Sequence, residues 1–272
     1  MPMLSAAELR NRVRQNSPLI HNITNVVVTN FTANGLYAVG ASPVMAYAME
    51  EVRDMAGAAS ALVLNIGTLS PETNDAMLAA GRRANEEGVP VLLDPVGAGA
   101  TPFRTRSAHM LLQELDIAVL RGNAGEIANL SSDPVAMRGV DSKATLANAR
   151  ETAETTAREF KTIVCMTGRQ DIITDGTTTY ITSNGSEMQT KITGAGCLLT
   201  AVTGAFVSQG DDPLESVAAA SAFYGVCAEA AAERQSYPGP GHFQVHFLDM
   251  LDQLSDEQLE EAIQLTKEES AL

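Results

Sequence analysis

The sequence predicts an α/β fold in three layers, with helices on both faces of a mostly parallel sheet that ends in an antiparallel meander. Three observations lead there. Apolar runs of strand length, Ala61–Ile66, Val89–Leu93, Ile117–Leu120 and Thr162–Met166, alternate with helical stretches, the rhythm of β-α-β units. Each run stops at a polar, glycine-flanked group rather than fading into a surface loop. After Met166 the pattern changes to β-prone pieces joined by Asp175-Gly176 and Asn184-Gly185, dipeptides that favour hairpins.

In order, Ser5 and Glu8 form a capping box that opens a helix ending near Asn16. Pro18–His21 is short and extended, and Asn22-Ile-Thr24-Asn25 precedes a helix-like run from Val26 to Val39. Gly40–Met45 is a turn leading into a short apolar strand, and Glu50–Ser60 reads as a helix. Further helices are expected from Ser70-Pro71 to Glu87, across Thr105–Glu114, from Glu126 to Leu130 and over Ser142–Phe160. The meander comprises Asp171–Thr174, Thr177–Thr182 and Glu187–Ile192. It feeds the turn Thr193-Gly-Ala-Gly-Cys197, from which helices run Ala195–Gln209, Pro213–Arg234, His242–Leu254 and Ser255–Lys267.

Composition narrows the function. With 272 residues, 45% hydrophobic and 19% charged, the chain can bury a sizeable core, and no linker or repeat divides it. A formal net charge of −15 with no Lys/Arg run argues against nucleic acid or an anionic membrane as partner. No stretch approaches the ~20 apolar residues of a bilayer span. The N-terminal residues lack the apolar core of a secretory signal. Three widely spaced cysteines without a C-x-x-C pattern suit a reduced, cytoplasmic protein and give neither a disulfide framework nor a zinc site.

The candidate chemistry lies at the strand ends, where ligands bind in open parallel sheets. Gly194 and Gly196 let a bound group approach the backbone closely, and the helix they open offers unpartnered amides to an anion. Cys197, at the mouth of that helix, is expected to have a lowered thiol pKa. Asp94 and Glu126 end separate strands; they read as ligands of a hard divalent cation, or as a turn residue and a first-turn helix acid. Arg121 is either a phosphate clamp or a salt-bridge partner of Asp94 or Glu126. Thr167-Gly168 either contacts a nucleotide phosphate or is a plain strand exit. Asn25 and Met45 fit a small ring's heteroatom and face, against the simpler roles of helix cap and core filler. His21 reads as structural.

Taken together, Pro18–Asn25, Gly40–Met45, Leu92–Gly97, Arg121–Glu126 and Thr193–Cys197 closely resemble the hydroxyethylthiazole kinase family of the ribokinase-like superfamily. The resemblance runs from about residue 5 to residue 250 and leaves the last helix uncovered. It implies one ribokinase-like kinase domain over residues 1–272 and ATP- and Mg²⁺-dependent phosphorylation of the primary alcohol of 4-methyl-5-(2-hydroxyethyl)thiazole in thiamine salvage. It also implies a homotrimer with active sites between subunits. By motif, Met45, Gly194 and Asn25 serve the thiazole, Arg121 and Thr167 the ATP, Asp94 and Glu126 the metal, and Cys197 stands where most superfamily sugar kinases carry an aspartate base. Rival expectations on the same scaffold are a hydroxymethylpyrimidine or pyridoxal kinase, a nucleotide-dependent dehydratase and a silent nucleotide-binding protein.

Overall fold

The computed structural model describes residues 5–131, 146–234 and 239–269. One sheet of nine strands has the order β2-β1-β3-β4-β5-β6-β7-β8-β9. β1 (Leu19–Ile23), β2 (Ser42–Val44), β3 (Ala61–Asn65), β4 (Val91–Asp94), β5 (Val119–Asn123) and β6 (Ile163–Thr167) run parallel. β7 (Asp171–Thr174), β8 (Thr178–Thr182) and β9 (Leu265–Glu269) add antiparallel. The α/β architecture matches the expectation, including the antiparallel finish.

Strand alternation sorts the core into two halves. Ala61, Val63, Leu92, Val119 and Cys165 face α1 (Ala6–Asn16), α2 (Thr29–Val39), α8 (Ala195–Val207), α9 (Pro213–Glu233) and α10 (Pro240–Gln253). Their neighbours Leu62, Leu64, Val91, Leu93, Leu120 and Val164 face α3 (Val52–Ala58), α4 (Pro71–Glu87), α5 (Pro102–Glu114) and α7 (Leu146–Phe160). The short α6 (Ala124–Ala128) follows β5, and α11 (Asp256–Ala262) precedes β9. Helix starts follow local chemistry: Ser70, Thr101 and Asp212 each accept a first-turn amide just before a proline. The Ser142 start expected for α7 lies outside the described residues.

Three expectations change. The Val26–Val28 segment is a turn, and α2 starts only at Thr29. Glu187–Lys191 is a 3₁₀ turn, not the third meander strand. Ser186 accepts from Met188 N while Gln189 Oε1 accepts from Ser186 N, so local hydrogen bonds satisfy the backbone without a partner strand. Asn184-Gly185 accordingly makes no hairpin; its amides go to Glu229 on α9. The third strand of the meander is β9, in register from Thr182↔Leu265 to Thr178↔Glu269. The sequence there reads as the end of a helix, but the open edge of β8 offers ladder bonds that no local pattern reveals.

α8 is apolar all round because it lies between the sheet and the helical layer. α2 crosses it where Gly35 meets Leu198: a Cβ at Gly35 would stand 2.3 Å from Leu198 Cδ1. This close approach sets the chain of Asn25 against the start of α8. Gly35→Ala should therefore destabilise by roughly 1–3 kcal/mol through overpacking, despite alanine's better helix propensity. Leu198→Ala alone should cost about 2–5 kcal/mol. Urea-unfolding midpoints of the pair should show the double variant less damaged than the sum; strict additivity would refute the contact as the source.

Candidate active site

Alternation carries more than the core. Continuing Ala61, Val63 by two residues gives Asn65; continuing Leu92 gives Asp94; continuing Val119 gives Arg121; and Cys165 leads to Thr167. All four polar side chains therefore reach the C-terminal rim of the sheet on the face that carries α8. Registers Asn65↔Asp94 and Asn123↔Thr167 place the strand ends side by side. Leu93↔Leu120 brings Asp94 level with Arg121.

Asp94 is the centre of this row and is completely buried. Its Oδ2 accepts from Asn65 Nδ2 at 2.8 Å and from Thr200 Oγ1 of α8 at 3.0 Å. Its Oδ1 has no hydrogen-bond partner and stands 3.8 Å from Arg121 Nη1. Burial pushes the Asp94 carboxyl up to about 6; the nearby Arg121 charge opposes the rise, and Glu126 adds to it. Of the two readings left open for Arg121, its pairing with Asp94 is present, and among the described residues Glu126 makes no ion pair with it. Arg121 Nη2 also donates to Thr167 Oγ1 at 2.8 Å.

The glycines are required first by the protein's own packing. Gly194 caps α8 with φ 91°, a left-handed conformation, and a Cβ there would press on Val28 at 2.7 Å. A Cβ on Gly196 would lie 2.5 Å from Arg121 Nη1, so the guanidinium occupies the space the missing side chain leaves. Leu198 N is the first α8 amide to close on Gly194 O, and no side chain caps the helix. The amides ahead of it have no intrahelical acceptor and lie next to the Arg121 guanidinium that packs on Gly196, an arrangement suited to an anion.

Cys197 belongs to the same group through Asn25. Asn25 Nδ2 donates to Asn65 Oδ1 at 3.0 Å and lies 3.4 Å from Cys197 Sγ. The lowered thiol pKa expected for a helix mouth does not occur. Burial, with the Asp94 charge behind it, pushes the Cys197 thiol up to about 11, and the hydrogen bonds from Asn65 and Asn25 recover only part.

Glu126 is set apart by a different need. Its Oε2 accepts from Asn123 N, the return half of a capping box, and its Oε1 accepts from Gly97 N at 2.8 Å in the loop after β4. The helix-acid role is thus real, and the same bonds tie the β4 and β5 exits together. Met45 leaves the sheet from β2, level with Asn22 by the register His21↔Val44, and is half-buried. His21 is buried, burial holds its pKa down, and its Nε2 donates to Ala46 O at 2.8 Å, while its Nδ1 has no hydrogen-bond partner, so the ring is only half satisfied.

A cavity of about 790 Å³ opens beside the row, lined by Arg121, Thr167, Gly168, Asn184, Glu187 and Gly196 among others. Its size is that of sites for nucleotide-sized ligands. Asn65 belongs to the polar strand ends the sequence marks, whereas the sequence does not mark Thr200 and Arg104 as site residues. Thr200 lies one helical turn after Gly196, which was a usable signal; nothing local marks Arg104, a basic residue in the first turn of a helix. No described group of three His, Cys, Asp or Glu side chains forms a metal cage. The unpartnered Asp94 Oδ1, with Glu126 nearby in charge terms, fits instead a Mg²⁺ site that takes few protein ligands and completes itself with phosphate oxygens.

Comparison with known proteins agrees with this geometry. Residues 10–257 match the model of the hydroxyethylthiazole kinase family. The hydroxyethylthiazole kinase protein from Pyrococcus horikoshii OT3 is 42% identical, with a TM-score of 0.88 over 97% of this chain and 99% of that one. A ribokinase-like superfamily protein from Enterococcus faecalis V583 is 12% identical, with a TM-score of 0.64 over 88% of each chain. The pyridoxal kinase from Staphylococcus aureus, in complex with AMP-PCP and pyridoxal, is 15% identical, with a TM-score of 0.62 over 93% of this chain and 99% of that one. The last two share the fold alone. The match over most of the chain and the close structural relative place this protein in the hydroxyethylthiazole kinase family, on a ribokinase-like fold.

Proposed function

We propose that this kinase transfers the γ-phosphoryl group of ATP to the primary alcohol of 4-methyl-5-(2-hydroxyethyl)thiazole, in thiamine salvage. One observation carries the proposal: the hydrogen-bonded line Asn25–Asn65–Asp94–Thr200 joins Cys197 to the buried acid and Arg121 directly beneath the open amides of α8. Phosphoryl transfer asks mainly for positioning and for charge neutralisation, and this arrangement supplies both. ATP lies in the cavity with its phosphates toward Arg121 and Thr167, and the α8 amides from Gly194 onward receive the group in flight. Asp94 and Glu126 would hold Mg²⁺, which would neutralise charge on the donor's phosphate oxygens. Asn25, Met45 and Gly194 border the thiazole, with its hydroxyl against Cys197.

With its thiol raised to about 11, Cys197 is protonated at neutral pH. It orients the alcohol without taking its proton, which leaves late to an oxygen of the transferred phosphoryl group, as a loose transition state tolerates. The assembly is a homotrimer whose active sites lie between subunits; Val26 (71% exposed) and Val27 (68%), next to Asn25, supply an apolar surface for that contact. The three free cysteines suit a reducing cytoplasm, and among the described residues no helix is long and apolar enough to cross a membrane.

The direct test is phosphorylated-alcohol formation from ATP with and without Mg²⁺, run beside hydroxymethylpyrimidine and pyridoxal. The thiazole alcohol should have the highest kcat/KM and require the metal; a preference for either rival reassigns the substrate. Cys197→Asp should retain or raise kcat, whereas Cys197→Ala should lower it by about tenfold at most, short of the ~10²–10⁴-fold owed to a general base. The rate should show no thiol titration between pH 7 and 9, since a group raised to about 11 stays protonated there; a limb in that range abolished by Cys197→Ser would reveal a thiolate after all. Sedimentation equilibrium should give the mass of a trimer of 28.7 kDa chains, and a monomer at assay concentration would exclude shared sites.

A further inference from the structure

Among the described residues Arg104 makes no ion pair within 4 Å and spends its guanidinium on the main chain. Thr101 caps α5 and accepts from Arg104 N, so the side chain leaves the first turn of the helix toward the rim. Nη1 donates to Val96 O at 2.6 Å and to Ile66 O at 3.3 Å, and Nη2 donates to Gly67 O at 2.7 Å. These carbonyls belong to two loops, one following β3 and the other following β4. Gly97, at φ 75°, brings its loop so close that a Cβ would meet Arg104 Cδ and Nη1 at 3.1 Å.

Two of the three peptide units that Arg104 grips hold site side chains from their other end. The Val96–Gly97 unit gives its carbonyl to Arg104 and its amide to Glu126 Oε1. The Ile66–Gly67 unit gives its carbonyl to Arg104 and its amide, at 3.0 Å, to Asn65 Oδ1. Asn65 in turn orients Asp94 through Nδ2 and shares its Oδ1 with Asn25. A peptide plane cannot rotate one end without the other. A cation on the carbonyl side and an acceptor on the amide side also polarise the unit in the same sense.

We propose that Arg104 is a positioning residue for phosphoryl transfer, fixing the Glu126 carboxylate and the Asn65–Asp94 pair through two of the three peptide units it clamps. The role rests on the kinase reading given above. Lysine cannot replace it, because one ammonium lacks the planar fork that reaches carbonyls of two loops at once.

The test is a double-variant cycle on the full-length protein, with wild-type turnover of ATP and the thiazole alcohol as its control. Arg104→Met should lower kcat roughly 10- to 100-fold while both KM values move less than about threefold, as for an interaction lost mainly in the transition state. In a Glu126→Gln background the same change should lower kcat by a clearly smaller factor, because one of the two peptide units through which Arg104 acts then ends on an altered acceptor. Hydrogen exchange of the Gly67 and Gly97 amides should quicken in Arg104→Met, whether or not any substrate is turned over. Arg104→Lys, a milder change read in the same way should Arg104→Met not fold, should show the same pattern. Full additivity with Glu126→Gln, a loss confined to KM, or unchanged exchange at both glycines would overturn the role. Wild-type protein inactive on the thiazole alcohol would sink the kinase reading instead, a result visible before any variant is read.

Discussion

The structure depends on holding a completely buried carboxylate beneath the start of a helix. Asp94 is expensive to place there: away from water, its charge needs a partner, and Arg121 stands 3.8 Å away to provide one. That partner has no room unless residue 196 is glycine, and its own second donor goes to Thr167. The helix supplies Thr200 to the carboxylate oxygen that also accepts from Asn65, and leaves its leading amides open above. Charge pairing, a missing side chain and a helix terminus are thus one arrangement, and moving any of them disturbs the rest.

This arrangement explains how a strongly acidic protein can accept a polyanion. The net charge of −15 repels phosphate at long range, but attraction at the site is local. Backbone amides and a desolvated guanidinium act at short distance where the surrounding dielectric is low. It also explains why Cys197 departs from the behaviour of a thiol at a helix mouth. The same burial that strengthens the Arg121–Asp94 attraction penalises a thiolate, and Asp94 adds repulsion. A site built to receive negative charge from the ligand leaves little stabilisation for a second negative charge on the protein.

Much of the frame was legible in the residues. The parallel β-α-β succession, the capping boxes at Ser5 and Ser255 and the Asp175-Gly176 hairpin all follow from short-range preferences, and each is present. The convergence of Asp94, Arg121 and Thr167 was also accessible, because strand alternation and strand-end binding are rules a linear sequence carries. Two short-range signals failed: Glu187–Ile192 looks like a strand and turns locally, while Leu265–Lys267, read as the end of a helix, joins β8.

The sequence by itself determined which residues would stand at the rim, since side-chain period and turn chemistry are local properties of the chain. Only the tertiary structure decided what those residues do to one another. Whether Arg121 would face Asp94 or Glu126, whether the Cys197 thiol would be lowered or raised, and that Arg104 would bind the loops after β3 and β4 all depend on distances and burial between segments far apart in the chain. Electrostatic energy is set by separation and by access to water, and neither is written in the order of the residues.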